Sequence, residues 1–307
     1  MTPHEQVLAA RSATDTTYAR RARYHTSANP FTFSYSPVPI RQFLAERDRA
    51  FDAATPTCAI PLDASGDLGT AYAATTPTLL TRYLKIRAGE HLSSAWASSG
   101  EVYYVMSGSG ESRNGSDVIE WGAGDVFCFP GGGETTHRAA DAGCLLFCAS
   151  DEPLLAFERL RPPMPGQAVI QATHWPAQEI ERQFERVWQR PTPEYATGAS
   201  VMFSSTAFPP SCITTPSMNV AINSLAVGCD QRPHRHNGVA VTLAIQGEGI
   251  YSLIDAKRVD WSTGAAQITP ATLLHSHHNR GTKRMRSLVI QDEGLHFYTR
   301  TPGFSFD

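Results

Sequence analysis

Two short windows, Pro233-His234-Arg235-His236-Asn237 and Leu274-His275-Ser276-His277-His278-Asn279, hold five of the chain's eleven histidines. Alternate side chains of an extended strand share a face, so His234 and His236 point one way together, and so do His275 and His277. Brought to one place, His234, His236 and His275 offer three imidazole nitrogens to a single divalent ion, at the ~2.0–2.2 Å typical of such bonds. A lone His-x-His is more often a pair of polar surface histidines; two such pairs in one chain favour a metal. The ligand types admit iron, zinc, manganese or nickel. His278 has the opposite parity and reads as surface or loop.

The elements that must position these residues come in duplicate. Thr75-Thr76-Pro77-Thr78 returns as Thr214-Thr215-Pro216-Ser217, and Gly108-Ser109-Gly110 returns at the same offset as Gly247-Glu248-Gly249. After one inserted residue, Trp121 matches Trp261, Gly124 matches Gly264 and Pro130 matches Pro270. The chain is a tandem duplication, the first thing to look for in a sequence of this length. Each half opens with a helical pattern, over residues 39–51 and 176–190, where Ile180, Phe184, Val187 and Trp188 recur at helical spacing. Short runs rich in Val, Ile, Thr and Tyr follow, cut by Gly and Pro turns. They predict strands over 79–87, 101–106, 125–129 and 144–148, then over 218–225, 240–246, 251–255 and 285–291. Regular short strands without alternating helices predict an all-β, closed or sandwich-like antiparallel fold and disfavour a doubly wound α/β sheet. Pro162-Pro163-Met164-Pro165-Gly166 is the natural linker. The expected segments are an N-terminal helical arm over 1–63, a first β domain over 64–160, linker and helix over 161–200, and a metal-binding second domain over 201–307.

Composition bounds the partners. At 307 residues and 41% hydrophobic content the chain buries a sizeable core. A formal charge of −3 with scattered lysines and arginines lacks the basic face that nucleic acid requires. No apolar run approaches the ~20 residues of a membrane span. The first 25 residues carry Arg11, Arg20, Arg21 and Arg23 without the apolar stretch of a secretory signal, and read as a polar helical arm. Six cysteines without a C-x-x-C pair fit a reduced, cytoplasmic protein. Gly131-Gly132-Gly133 lacks the helix start and lysine of a phosphate loop and reads as a turn.

The second half reads His234-x-His236, three residues, Ala240, six residues, Gly247, then Gly264, five residues, Pro270, four residues, His275, three residues, Asn279. This resembles the paired cupin motifs, with departures at the glutamate (Ala240) and at the second-motif glycine, and the duplication makes the chain similar to a bicupin: two tandem jelly-roll barrels. Within bicupins, His-Arg-His at 234–236, alanine at 240 and His-x-His at 275 and 277 resemble the gentisate 1,2-dioxygenase group. That group includes enzymes cleaving salicylate and 1-hydroxy-2-naphthoate, and its usual members carry the metal in the N-terminal cupin.

The resemblance implies ferrous iron, Fe(2+), on His234, His236 and His275, and O2-dependent ring cleavage of a hydroxylated aromatic acid. It makes His277 a catalytic or substrate-contacting residue able to hydrogen-bond the substrate hydroxyl or bound oxygen; otherwise it is a structural imidazole. Thr242 shares the inward parity of Ala240 and stands where the group has a substrate-holding arginine. Asn223, like Asn219, lines the pocket if its parity is inward, and is otherwise a sheet-edge polar group. Arg284 and Arg286 are candidates to hold an anionic substrate but read better as a solvated strand end. In the first half the ligand positions hold Ala95, Ala97 and Thr135, with Glu101 at the Ala240 position and His137 opposite His277. That is too few ligands for a tight site, so this half is expected to serve packing and assembly. Such bicupins form homo-oligomers, here expected as a dimer or tetramer. The same three-histidine site also fits cleavage of a diketone or thiol, isomerisation or decarboxylation, and a bicupin can be a non-enzymatic ligand-binding protein.

Overall fold

A computed structural model describes residues 16–22, 35–190, 198–208 and 211–307. The chain falls into two compact units, Met1–Pro37 and Val38–Asp307. In the first, helix α1 (Thr17–Arg21) is capped by Thr16, whose side chain accepts from the Ala19 amide at 3.1 Å. Arg11 and Arg23 of the expected arm lie outside the described residues.

The second unit is all-β at its centre, as the sequence predicts. The first barrel comprises β1 (Cys58–Pro61), β2 (Leu80–Ile86), β3 (His91–Ser94), β4 (Gly100–Asn114), β5 (Asp117–Gly122), β6 (Val126–Pro130) and β7 (Thr135–Ser150), joined by β8 (Thr173–Trp175). They form one antiparallel sheet in the order β1-β2-β7-β4-β6-β8, with β3 on β7 and β5 on β4. The second barrel has two five-stranded sheets. One runs β15-β12-β17-β10-β9, where β9 is Ala199–Phe203, β10 Asn219–Leu225, β12 Ala240–Gln246, β15 Ala266–Thr269 and β17 Met285–Gln291. The other runs β14-β13-β16-β11-β18, where β11 is His234–His236, β13 Ile250–Ile254, β14 Lys257–Asp260, β16 His275–Asn279 and β18 Phe304–Phe306. The helices are short: α2 (Leu44–Phe51), α3 (Ser65–Leu68), α4 (Glu152–Glu158), α5 (Ala177–Trp188) and α6 (Gly294–Tyr298). None is long and apolar enough to cross a membrane.

Strand parity explains where the core sits. In the first barrel, Tyr83, Val102, Tyr104, Val126 and Phe147 face outward and join Val220, Ile222, Val241, Leu243, Ile268 and Ile290 of the second barrel in one continuous core. Both faces of these strands are therefore buried, which is why they read as near-continuous apolar runs. The inward parity of the first barrel is filled by Leu84, Tyr103, Phe127, Phe129 and Cys148, with Tyr103 stacked on Phe127 at 4.8 Å between ring centres. At the repeat-equivalent positions the second barrel carries Asn223, Thr242, Gln267, Thr269 and Val289. Trading three aromatic rings for small polar side chains leaves the second barrel hollow.

The lead-in segments cross over. Residues 41–43 are extended rather than helical, so α2 begins at Leu44, and they pair with β15 of the second barrel: Phe43 N donates to Ala266 O at 2.9 Å and Ile268 N to Arg41 O at 2.8 Å. Conversely β8 pairs along β6 of the first barrel, and Ala177 N at the start of α5 donates to Asp125 Oδ1 at 2.7 Å, while the rest of α5 packs on β9 of its own barrel. The stretch expected as an arm over 1–63 thus supplies a strand to the first barrel (β1) and an edge to the second. Two aspartates complete the exchange. Asp151 accepts from Ser99 N at 2.7 Å and from the Ser217 hydroxyl at 3.1 Å. Its counterpart Asp292 accepts from Val239 N at 2.6 Å and from the Thr78 hydroxyl at 2.7 Å.

Candidate metal centre

β11 is three residues long and is held on both edges, His234 opposite His275 of β16 on one side and opposite Phe306 of β18 on the other. Its alternation turns His234 and His236 into the barrel and Arg235 outward to Asp307. β16 does the same with His275 and His277, while His278 leaves on the other face to Asp230 at 2.7 Å and stacks on Tyr251, as its parity predicts. The ligand atoms of His234, His236 and His275 lie within 4.8 Å of one another, and this is the one such trio among the described residues.

Local backbone fixes each ring. His234 Nδ1 meets Arg232 O at 3.0 Å, His236 Nδ1 meets Gly238 O at 2.7 Å, and His275 Nδ1 meets Leu273 O at 2.9 Å. A carbonyl only accepts, so all three protons sit on Nδ1 and each Nε2 presents a lone pair. Burial, then the neighbouring His275, pushes His234 down to about 3; the same causes push His236 to about 4, and burial lowers His275. The trio is neutral at physiological pH, the form a metal takes. Donor set and tautomers fit a divalent ion. Ala240 sits buried at the place where a fourth protein ligand would reach in, and supplies none.

His277 is prepared differently. Its Nδ1 meets Ser252 Oγ at 2.9 Å, and that oxygen already accepts from Trp261 Nε1 at 2.7 Å and from Gln267 Nε2 at 2.9 Å. The hydroxyl has one proton left to give, so it donates to His277 Nδ1 and leaves the imidazole proton on Nε2. The first barrel repeats the unit without the glutamine: Trp121 and His137 share Ser112 Oγ, each at 2.7 Å. There His137 is fully buried and its Nε2 has no partner, whereas His277 lines a cavity.

That cavity, of about 450 Å³, opens beside the three histidines. Thr242 and Asn223, singled out from the sequence, both line it, as does Asn219. Arg284 and Arg286 do not: they stack on Trp188, and Arg286 also pairs with Glu181. Sequence reasoning missed Glu293, Gln231, Thr269 and Phe304 of the lining. Phe304 stacks on His234 with ring centres 5.1 Å apart. Glu293 Oε1 accepts from Gly238 N at 3.1 Å and lies 3.8 Å from His236 Nδ1. Burial, and Asp292 beside it, raise its pKa. The one sequence signal for Glu293 was the repeat of Asp151-Glu152 as Asp292-Glu293.

Comparison with known proteins agrees with this architecture. Residues 222–291 match the family model of the cupin domain. A 5-aminosalicylate 1,2-dioxygenase of Comamonas sp is 36% identical over 81 residues, 26% of this chain and 22% of that protein. A gentisate 1,2-dioxygenase of Ralstonia sp is 34% identical over 65 residues, 21% of this chain and 18% of that protein. The matches thus span about a fifth of these curated relatives. The salicylate 1,2-dioxygenase of Pseudaminobacter salicylatoxidans superposes with a TM-score of 0.74 at 13% identity, covering 92% of each chain. The fold is a bicupin.

Proposed function

We propose that this bicupin is a ferrous-iron, ring-cleaving dioxygenase that inserts both atoms of O2 into a hydroxylated aromatic carboxylic acid of the gentisate, salicylate or hydroxynaphthoate kind. One observation carries the reading: three neutral imidazoles turn bare Nε2 atoms to one point beside a cavity, and Ala240 contributes no carboxylate there. His234, His236 and His275 would hold the ion, which when bound supplies the redox chemistry that lets an aromatic ring react with O2 and leaves open positions for a chelating hydroxy acid.

The chain's own residues do the rest. Phe304, stacked on His234, gives the cavity an apolar ring beside the metal position. His277, with its proton on Nε2, donates a hydrogen bond to the substrate hydroxyl oxygen or to oxygen. Thr242 and Asn223 contact the substrate from the opposite sheet. The expected division into 1–63, 64–160, 161–200 and 201–307 is retained as a proposal, with the first barrel serving packing and assembly, in a cytoplasmic homo-oligomer, a dimer or tetramer.

Anaerobic purification with metal analysis should find about one iron per chain, lost in His234→Ala and His275→Ala. An oxygen-electrode screen over gentisate, salicylates and hydroxynaphthoates should show consumption with at least one; iron without uptake across the panel would remove ring cleavage as the reaction.

A further inference from the structure

The duplication provides a control for Glu293. Its counterpart Glu152 in the first barrel is ion-paired with Arg82 and accepts from the Ser150 hydroxyl at 2.7 Å. At the positions equivalent to Arg82 and Ser150 the second barrel has Ala221 and Gln291, which line the cavity. The carboxylate has been kept and its arginine removed. Glu293 Oε2 receives no hydrogen bond among the described residues, and no lysine or arginine among them lines the cavity. The position is built, not accidental: a Cβ on Gly238 would stand 2.1 Å from Glu293 Cγ, so glycine there lets the side chain pass, where the first barrel has Ser99. Nearby acceptors are also unmatched. Asn219 Oδ1 and Gln231 Oε1 are buried without partners, and both residues line the same cavity.

A buried acceptor without a donor is costly, so a wall of them selects a ligand that brings donors. We propose that Glu293 is a specificity-determining residue that receives a hydrogen bond from a second donor group, an amine or a hydroxyl, on the aromatic ring. This deepens the ring-cleavage reading and rests on it: the acid and its neighbouring hydroxyl go to the metal centre, and the further substituent goes to the place Arg82 occupies in the first barrel. The substrate class is an amino- or hydroxy-substituted salicylate rather than salicylate itself.

The test is calorimetric binding to zinc-loaded protein, which needs no turnover, using salicylate, its 3-, 4- and 5-amino derivatives, gentisate and 5-methoxysalicylate. At least one donor-bearing ligand should bind about tenfold or more tighter than salicylate and than the methoxy compound, which offers only an acceptor. In Glu293→Leu, and in Ala221→Arg, which rebuilds the ion pair of the first barrel, the ratio of dissociation constants to that of salicylate should collapse to within about twofold. Retention of zinc by each variant shows that the barrel is intact, and the two substitutions reach the same carboxylate from opposite sides. Equal affinities in the wild type, or a preference surviving in a zinc-binding variant, overturn the assignment of Glu293 while leaving ring cleavage to the oxygen-electrode result. Discrimination that follows Glu293 without O2 uptake by the iron form upholds the recognition group and overturns the reaction. Failure of every aromatic acid to bind overturns both.

Discussion

Glu101 and Ala240 occupy one position of the repeat with opposite consequences. In the first barrel the carboxyl is sealed beneath Tyr103, Thr135 and Ser98, all of which donate to it, and burial still pushes it up to about 7. Its folded pKa lies above the ordinary value of 4.5, so its favourable contribution is complete below pH 4.5 and is lost as pH rises through 7. Glu101→Gln removes that titration while keeping an acceptor for Tyr103. Its stability relative to wild type should therefore rise between pH 5 and pH 8, by on the order of 2–3 kcal/mol. Urea unfolding at the two pH values measures this, and a pH-independent difference would refute the burial argument. The clustering of His234, His236 and His275 was legible in the sequence because strand parity and turn spacing are local properties: His-x-His declares its own geometry. The tautomer of His277 was not, since it depends on Trp261 and Gln267, which reach Ser252 only in the closed barrel. Glu293 left one trace, the repeated Asp-Glu pair, but its approach to His236 and Gly238 exists only in the closed barrel.

At the scale of elements, the sequence marked strands well where both faces are buried and poorly where they are not. Residues 240–246 and 285–291 were predicted with the limits observed. β4 and β7 run far beyond the expected 101–106 and 144–148, because their outer halves alternate exposed residues with buried or half-buried polar ones and carry Gly, Ser and Asp. The crossover of lead-in segments could not be read, since a helical pattern says nothing about which barrel it packs on. Its strength can be measured at Asp292. Asp292→Ala strips a bond from the buried Val239 amide and from the Thr78 hydroxyl of the other barrel. Leaving both donors unsatisfied should cost roughly 2–4 kcal/mol by chemical denaturation. A loss under about 0.5 kcal/mol, the level of an ordinary surface substitution, would show that the exchange is decorative.

Across the whole unit Val38–Asp307, the duplication has divided labour between a filled barrel and a hollow one. The filled barrel lends its outer face to the joint core, where Tyr83 and Phe147 pack in the same cluster as Val220 and Leu288 and the Tyr83 hydroxyl donates to Gly264 O at 2.8 Å. A hollow barrel lined with Asn, Thr, Gln and a lone carboxylate is a poor folding unit by itself, because its interior contributes little apolar burial. Its stability must come from that shared core and from the ion proposed for its three histidines. Two consequences follow for calorimetry. The barrels should melt together in one transition whose van't Hoff and calorimetric enthalpies agree, since neither can expose the joint face alone. Removing the metal with a chelator should lower the melting temperature of that whole transition, by an amount that grows with the concentration of free ion in the loaded sample, as mass action requires for a ligand that binds the folded state. Two resolved transitions, with the lower one alone responding to chelator, would mean that the hollow barrel folds independently of its twin and that the reciprocal aspartates do not couple them.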